Sequence, residues 1–558
     1  METGELIVHL KSIVGRRNVL TGAGSTERYR KGFRTGEGEA EVVIVPATSL
    51  QLWRVLQACV AANRIVIMQA ANTGLTGGST PSGSYDRNVA IISTLKLDRI
   101  HLIDGGRQIV SLAGGTLYKL ERLLDPLGRQ PHSIIGSSCI GASIVGGICN
   151  NSGGALIRRG PAYTELSLYA QLRADGCLEL VNRLGINLGK TPEEILDRLE
   201  RGDFTDTDID WSTGRASDDG YEARIRDVDT ESPARFNADP AHLHGASGCG
   251  GKLAVFAVRL DTFPVERDVR IYYIGTTEPE NFTALRRRIL KEFAELPLSG
   301  EYMHRDCFDV AHRYGRDMLL MIHWLGTDYL PGFFALKRRM DAIFNKWPLL
   351  PDNLTDRVMQ VFSRLLPEAL PRRMLDYRER YEHHLILKMQ GTTAEATEAL
   401  LREIFGDSWF LCTPHEGKMA MLNRFVTAGA SVRCQAVYPD AAEEMIAFDV
   451  ALRRNDKDWV ERLPEEIEKH LALKIYYGHF FCHVFHQDYI VKKGADPGIL
   501  KRVMMKLLDS RGAEYPAEHN VGHLYEAKSA LREHYMRCDP TNTFNPGIGK
   551  TSRQQWYT

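Results

Sequence analysis

The sequence lacks several features that mark large classes of protein. No apolar run approaches the roughly 18 residues of a membrane-spanning helix. The ten cysteines include no Cys-x-x-Cys pair, so we expect reduced thiols rather than a disulfide framework or a zinc ribbon. Neither sign of charge is in excess, since 70 Lys and Arg residues face 71 Asp and Glu residues. This balance argues against nucleic acid as the main partner, because phosphate binding needs a basic surplus.

Familiar catalytic and nucleotide-binding motifs are missing as well. No Gly-x-Gly-x-x-Gly opens a helix after the first predicted strand, which leaves a standard NAD-type crossover unsupported. Gly549-Lys550-Thr551 looks like the end of a phosphate-binding P-loop, but Phe544 stands where that loop needs its first glycine. The absence of a Gly-x-Ser-x-Gly elbow disfavours a serine hydrolase. The first residues include Glu2 and Glu5 and lack an apolar core, so no secretory signal is expected.

What remains is a chain of 558 residues with an ordinary globular composition, 43% hydrophobic and 25% charged. This length predicts two or three packed units. We place a boundary near residue 262, where glycine becomes rare and helical periodicity takes over. The stretch 190–240 is rich in charge and poor in large apolar residues, which predicts surface loops and a short helix, Pro192–Arg201. The later segments with helical periodicity are 281–297, 331–346, 392–406 and 440–455.

The first half of the chain has the pattern of an α/β nucleotide site. Three short β-branched runs, at 42–45, 65–68 and 89–92, predict buried strands, and the spacing between the first two predicts a helix over 49–63. A further apolar strand is predicted over 253–260. From Gln69 to Gly160 the chain has 16 glycines in 92 residues, about twice its average rate. The order of strand, helix, strand and glycine loop is typical of a cofactor-binding layer.

Two segments of this region, 69–79 and 136–154, consist largely of Gly, Ser, Thr, Asn and Ala. Such residues let backbone N–H groups approach a diphosphate closely and solvate its charge without lysine. For one such segment alone, tight turns that pack strands together are the favoured interpretation. The presence of two long segments, each beside an apolar strand, favours a cofactor.

Longer stretches of the chain resemble a known family. They lie at 28–34, 68–76, 136–154, 159–165, 476–479 and 516–525. The chain resembles proteins with the FAD-binding fold of the vanillyl-alcohol-oxidase type, and more specifically the quinone-dependent (respiratory) D-lactate dehydrogenases. The resemblance implies an α+β protein with a two-part FAD-binding domain, 1–262 and 513–558. It also implies an α+β cap domain over 263–512 with a helical, membrane-facing insert at about 325–380.

The resemblance implies FAD bound without a covalent link. Covalent flavin attachment commonly uses His or Cys, and the first loop has neither, so Cys139 and Cys149 in the second are the nearby residues to exclude. The implied flavin contacts are Ala70, Ala71, Asn72, Thr73, Gly74, Gly78, Ser79, Gly136, Ser143, Gly153 and Val255.

Oxidation of a 2-hydroxy acid needs a base for the hydroxyl proton, a cation for the carboxylate and a hydride acceptor, which the flavin provides. His519 is our candidate base, because it lies in a polar loop beside Glu518 and Asn520, which could orient it. The alternative for His519 is an ordinary surface histidine. The resemblance favours Arg380 and Lys388 as the carboxylate clamp, with His384 on the same face of a predicted strand as Lys388.

The pair His479 and His486, together with Glu518, forms a candidate divalent-metal set, since metal-dependent relatives carry a His-x6-His pair and a Glu-His element. Strict strand alternation would put the two histidines on opposite faces, so a bulge or turn is needed to bring them together. Relatives have a glycine-rich interior in this pair, whereas this chain has Phe480 to Phe485. A metal-free site therefore stays open as the alternative.

The stretch 331–380 has ten Lys and Arg residues against six Asp and Glu residues. Large apolar residues alternate with these charges, a composition that suits helices lying on an anionic bilayer. A plain helical insert packed on the cap is the alternative. The resemblance implies a peripheral protein on the cytoplasmic face of the inner membrane, with no dedicated protein partner. The apolar residues are Phe333, Phe334, Leu336, Phe344, Trp347, Leu349, Leu350, Phe362, Leu365 and Leu366.

The function implied by the resemblance is FAD-dependent oxidation of D-lactate to pyruvate, with electrons passed to a membrane quinone. One alternative keeps the fold and changes the substrate to D-2-hydroxyglutarate or glycolate, with or without a metal. A second alternative is a flavin-carrying protein of the membrane surface that catalyses nothing.

Overall fold

The computed structural model of the chain describes residues 1–133, 140–327, 329–344, 347, 353–438, 441 and 444–558, without the side chains at some positions of the helix over 330–344. Several sequence predictions therefore lie outside the described residues. They are the flavin contact at Gly136, the thiol of Cys139 and the apolar side chains of Phe334, Leu349 and Leu350. None of the described helices combines the length and the apolar character needed to cross a bilayer.

The predicted strand–helix–strand start of the chain is confirmed. Its strands form a sheet in the order β1-β2-β4-β3, in which β4 runs parallel to both β2 and β3. These strands are continuous apolar runs because helices and loops cover both faces of the sheet. The strands are β1 (Val19–Leu20), β2 (Val42–Ile44), β3 (Ile65–Gln69) and β4 (Val89–Ser93).

A second sheet of the first half is antiparallel throughout, in the order β5-β6-β10-β8-β9, and a short pair of strands, β7 and β11, lies beside it. The apolar strand predicted over 253–260 is its central strand. The strands are β5 (Ile100–Ile103), β6 (Gln108–Leu112), β7 (Arg129–Gln130), β8 (Ser167–Leu172), β9 (Leu178–Asn182), β10 (Ala254–Asp261) and β11 (Phe263–Pro264).

The largest sheet comes from the second half and has the order β15-β12-β14-β13-β17-β18-β16, antiparallel throughout. One apolar core lies on each of its faces. Its strands are β12 (Val269–Thr276), β13 (Ser299–His304), β14 (His383–Gln390), β15 (Trp409–Leu411), β16 (Ile446–Ala451), β17 (Leu471–His479) and β18 (Val484–Val491).

Helices surround the sheets and connect their strands. Those of the first half are α1 (Thr3–Val14), α2 (Ala23–Arg30), α3 (Ser49–Ala61), α4 (Leu117–Leu124), α5 (Ile144–Cys149), α6 (Pro192–Arg201) and α7 (Tyr221–Arg226). Those of the second half are α8 (Pro279–Glu292), α9 (Arg305–Tyr314), α10 (Arg316–Leu325), α11 (Leu330–Phe344), α12 (Leu354–Ser363), α13 (Arg372–Arg380), α14 (Ala394–Phe405), α15 (Pro414–Val437), α16 (Glu465–Glu468), α17 (Pro497–Ser510) and α18 (Ser529–Cys538).

The helix predicted over 440–455 is wrong, because this segment holds strand β16. Apolar residues occupy nearly every position from 445 to 451, so the pattern fits a helix and a buried strand equally well. The segment is a strand because it pairs with β18 along its whole length. Phe448 and Val450 are buried in the core on one side, and Asp449 is turned to the opposite face.

The C-terminal residues return to the first sheet. The backbone of Val66 in β3 exchanges hydrogen bonds with Thr543 and Asn545, both at 3.0 Å. This pairing supports the two-part FAD-binding domain. The boundaries at about 262 and 513 remain our proposal, with which the distribution of strands agrees.

Candidate active site

One face of the large sheet carries a row of polar side chains. Across neighbouring strands, Glu301 is paired with His479, Tyr477 with His486, and His486 with Asp449. Paired residues of antiparallel strands point to the same side of the sheet. Glu301, His479, His486 and Asp449 therefore stand together on one face, although they come from four separate strands.

A tight turn makes this arrangement possible. Strand β17 ends at His479, a single 3₁₀ turn covers Phe480–Cys482, and β18 begins at Val484. His483 takes the left-handed conformation, with φ at 53°, which glycine takes more readily. The resulting hairpin register puts His479 and His486 on the same face with ring centroids 5.4 Å apart. The bend that the sequence left open is thus present without glycine.

His479 lies between two buried carboxylates. Its Nδ1 is 2.8 Å from Glu301 Oε1 and its Nε2 is 3.4 Å from Glu518 Oε2. Burial opposes the charged imidazole, but the two carboxylates outweigh burial and raise the pKa of His479 to about 10. Each carboxylate also has an arginine partner, Arg424 at 3.0 Å from Glu301 and Arg235 at 2.6 Å from Glu518.

His519, the predicted base, is held by Asp449. The imidazole Nδ1 is 2.8 Å from Asp449 Oδ2. The same oxygen accepts the backbone N–H groups of Glu518 and His519, at 2.6 and 3.2 Å. Burial disfavours the imidazolium, but Asp449 outweighs it, so the pKa of His519 is raised above its ordinary value. Because Asp449 takes up Nδ1, the remaining nitrogen, Nε2, is the one that can meet a substrate.

The predicted flavin loops meet this cluster. A Cβ at Gly153 would collide with the Glu518 carboxylate, so only glycine fits there. Asn520 donates a hydrogen bond to the side-chain oxygen of Asn150, and a Cβ at Gly78 would lie 3.4 Å from the Asn520 side chain. The structure therefore brings together the two loops and the base that the sequence predicted separately.

The first loop is built so that its side chains hold the loop and its backbone stays available. Asn72 donates to the Lys31 carbonyl at 2.7 Å and accepts from the Ser79 hydroxyl at 2.9 Å. Gln69 donates to the Ser79 carbonyl at 2.7 Å. A Cβ at Gly74 meets nothing within 4 Å, which leaves open space beside the loop.

The second loop leads into α5, and Ser143 caps that helix by accepting the Gly146 N–H at 3.0 Å. Val255, on the neighbouring strand β10, packs in the same core as Ile144. Cys149 is a poor candidate for covalent attachment, because its contact with Cys249 and its burial raise the pKa of its thiol.

The three residues predicted to bind or accompany the carboxylate are placed differently from one another. Lys388 stands on the same sheet face as Glu301, two residue pairs further along β14, and burial lowers the pKa of its ammonium group. His384 is buried against Tyr273, and burial lowers its pKa to about 3. Arg380 is exposed at the end of α13 and donates to the Tyr381 hydroxyl at 2.8 Å. These assignments stay predictions.

Sequence reasoning missed the charged groups that complete the cluster. Asp449 is an acidic residue inside an apolar strand, which is a usable signal, because buried carboxylates almost always have partners. The strand of Glu301 has a mixed composition and gives no such signal. Arg235 lies in the stretch interpreted as surface loops, yet it is only 2% exposed. Nothing local distinguishes Arg235 or Arg424 from the chain's many surface arginines.

Comparisons with known proteins identify the family of the chain. The family described as "D-lactate dehydrogenase, membrane binding" matches residues 271–557, and the family described as "FAD binding domain" matches residues 40–170. The quinone-dependent D-lactate dehydrogenase of Escherichia coli is 56% identical over 98% of this chain and 97% of its own length. Its Haemophilus influenzae counterpart is 53% identical over 100% of both chains. This chain belongs to the quinone-dependent D-lactate dehydrogenases.

Solved structures extend the comparison to the fold. The structure of p-cresol methylhydroxylase with substrate bound matches with a TM-score of 0.57 at 11% identity, covering 98% of this chain and 97% of that one. At this identity the likeness shows the fold alone. This likeness and the matching FAD-binding family together confirm the FAD-binding fold of the vanillyl-alcohol-oxidase type. The family match and the relatives also confirm FAD as the cofactor.

The space beside Gly74 provides a test of the flavin site. We expect Gly74→Leu to fold normally and to lose most of its FAD, because the side chain would fill space that the protein itself leaves open. The matched control is Gly24→Leu in α2, where a Cβ also meets nothing within 4 Å. The measurement is the flavin absorbance per protein after gel filtration. Full flavin in Gly74→Leu would contradict the assignment of this loop.

Proposed function

We propose that this chain oxidises D-lactate to pyruvate with FAD and passes the electrons to a quinone. Its family membership over the whole length supports this function. The observation that carries it is the imidazole of His519, fixed by Asp449 beside the two flavin loops. The D-2-hydroxyglutarate dehydrogenase of Arabidopsis thaliana is 27% identical over only 32% of this chain, which favours D-lactate over that alternative substrate.

Bound FAD supplies the acceptor for the hydride that leaves C2 of the substrate. The protein supplies the base: His519 Nε2 takes the hydroxyl proton, and Asp449 stabilises the imidazolium that results. Tethering of Asp449 to two backbone N–H groups keeps the imidazole in one orientation. The buried ion pair of Glu518 with Arg235 holds the loop that carries His519.

Removal of the base should slow chemistry without removing the flavin. We expect His519→Ala to bind FAD and to be reduced by D-lactate about 10²- to 10⁴-fold more slowly, the range for a lost general base. The measurement is anaerobic stopped-flow bleaching of the flavin, and the exposed His415→Ala serves as the control. Bleaching of His519→Ala at the wild-type rate would remove His519 from this role.

The set His479, His486 and Glu518 satisfies the distances of a divalent-metal site, with one ligand atom from each within 4.8 Å of the others. Glu301 and Asp449 approach the two imidazoles as the second partners that metal-bound histidines usually have. An ion here would hold and polarise a substrate oxygen. The ion pair between Arg235 and Glu518, at 2.6 Å, disfavours an ion here, because a guanidinium already neutralises this carboxylate.

Metal analysis shows whether an ion binds to this set of residues. We expect protein dialysed against a chelator to retain its FAD and its rate of bleaching by D-lactate, with well under one divalent ion per chain. The measurement is elemental analysis of the same sample that is used for stopped flow. One ion per chain that is lost in His486→Gln, together with the activity, would contradict this expectation and establish the metal.

We further propose that helices α10 to α12 form the membrane-contacting surface of a peripheral protein on the cytoplasmic side. The name of the matching family supports membrane contact, and the exposed side chains support these helices as its location. Eight large apolar side chains in or next to these helices are more than half exposed, unlike those of a normal helical insert. They are Trp324, Leu325, Tyr329, Leu336, Trp347, Val361, Phe362 and Leu365. The basic excess of this stretch suits an anionic lipid surface.

Binding to anionic vesicles should have a charged and an apolar component. We expect high salt to release part of the protein, because screening weakens the contacts of Lys and Arg with lipid headgroups. The double variant Phe362→Ser, Leu365→Ser should lose the fraction that salt does not release. Ile499→Ser, on the exposed surface of α17, is the control. Vesicle flotation at two salt concentrations measures both components. Binding unchanged by salt would disprove the electrostatic component.

A further inference from the structure

A substrate carboxylate beside His519 needs a cation, and the nearest buried cations are already engaged. Arg424 is paired with Glu301 at 3.0 Å, and Arg235 with Glu518 at 2.6 Å. Each of these carboxylates is itself buried and also faces His479. Removing either arginine from its partner would leave an unpaired buried charge, which is strongly unfavourable. The cation that binds the substrate must therefore come from elsewhere.

Arg34 is a cation without such a commitment. Its guanidinium is exposed and forms no ion pair with any residue that the structure describes. The guanidinium donates one long hydrogen bond, 3.5 Å, to the carbonyl of Ala428 in α15. Ala428 lies one helical turn after Arg424, the residue that contacts Glu301, so the guanidinium stands at the edge of the cluster.

The backbone ties the segment of Arg34 and the segment of His519 to the same flavin loop. Thr35 donates its hydroxyl to the carbonyl of Leu75 at 2.9 Å, and the backbone N–H of His523 donates to the next carbonyl, that of Thr76, at 3.1 Å. Two consecutive residues of the first flavin loop thus tie down the segment of Arg34 and the segment of His519. Gly36 also packs directly on Gly77 of this loop.

The electrostatics of the neighbouring groups agree with this position. Burial raises the pKa of Asp488, and the foremost charge that opposes the rise is the guanidinium of Arg34. Arg34 is also among the charges that act on His519. Its field therefore reaches both the hairpin and the base.

We propose that Arg34 binds the carboxylate of D-lactate opposite His519. The inference rests on the proposed function and adds a substrate-binding residue from the FAD-binding half of the chain. A guanidinium grips a carboxylate through two parallel hydrogen bonds, and Arg34 gives up only one long hydrogen bond to do so. The substrate then lies between Arg34 and His519 at the edge of the flavin loop. This assignment competes with Lys388, the partly buried cation on the sheet face.

A pair of substrates that differ only at the carboxylate tests the assignment. D-lactate and D-lactamide have the same hydroxyl and the same C–H bond, but the amide carries no charge. We expect wild-type flavin to be bleached far faster by D-lactate. In Arg34→Gln the second-order rate with D-lactate should fall about 10- to 100-fold, as for a lost charge-assisted hydrogen bond, and the rate with D-lactamide should barely change. Arg34→Lys should recover part of the loss.

The controls separate substrate binding from other roles. Arg28→Gln removes an exposed guanidinium from the same segment and should leave both rates unchanged. The proposal is overturned in favour of a structural role if the bleaching rate of Arg34→Gln falls equally with both substrates. It is also overturned if both Arg34 variants lose their flavin. If the ratio of the D-lactate rate to the D-lactamide rate falls in Lys388→Met but not in Arg34→Gln, Lys388 is the residue that binds the carboxylate. If D-lactate fails to bleach even wild-type flavin, the proposed function itself fails.

Discussion

The site depends on a buried group of charges in which His479 lies between Glu301 and Glu518. Each carboxylate needs a cation, because a buried charge without a partner is too unfavourable to persist. Arg424 comes from α15 and Arg235 from the loop region of the first half. The sheet, the long helix and the FAD-binding half must therefore be in place together. Removal of one partner from such a pair typically costs about 3–5 kcal/mol.

Asp449 extends this constraint to the chemistry. It accepts two backbone N–H groups of the loop and the Nδ1 proton of His519, so one carboxylate fixes both the path of the loop and the orientation of the base. The loop in turn abuts Gly153 and Gly78 of the two flavin segments. The position of the base relative to the cofactor is thus set by a side chain on the sheet, rather than by the flexibility of a surface loop.

The sequence predicts the FAD-binding half well, because buried parallel strands and glycine loops have local signatures. Helix α6 has the predicted bounds, Pro192–Arg201, and strand β14 contains Lys388 and His384 as expected. The cluster was harder to predict. Strand β16 is apolar at almost every position, so its hydrophobic pattern fits a helix and a strand equally well. Because a helix was predicted there, the place of Asp449 on the sheet face was missed. The turn after His479 has no glycine that would indicate it, since His483 takes the left-handed conformation instead. Ion pairs between distant segments, such as Arg235 with Glu518, leave no local pattern at all.

Helix α15 connects the active site to the proposed membrane surface. Arg424, near the middle of this helix, is paired with Glu301. Arg433, closer to its C-terminal end, is paired with Asp317 of α10 at 2.5 Å. The helices with exposed apolar side chains are therefore built on the same helix that closes the catalytic face of the sheet. The interior cations of this helix are engaged with interior anions, since Arg424 and Arg433 both have carboxylate partners. In our proposal the substrate carboxylate therefore binds to Arg34, which lies where α15 meets the segment next to the flavin loop and forms no ion pair with the described residues.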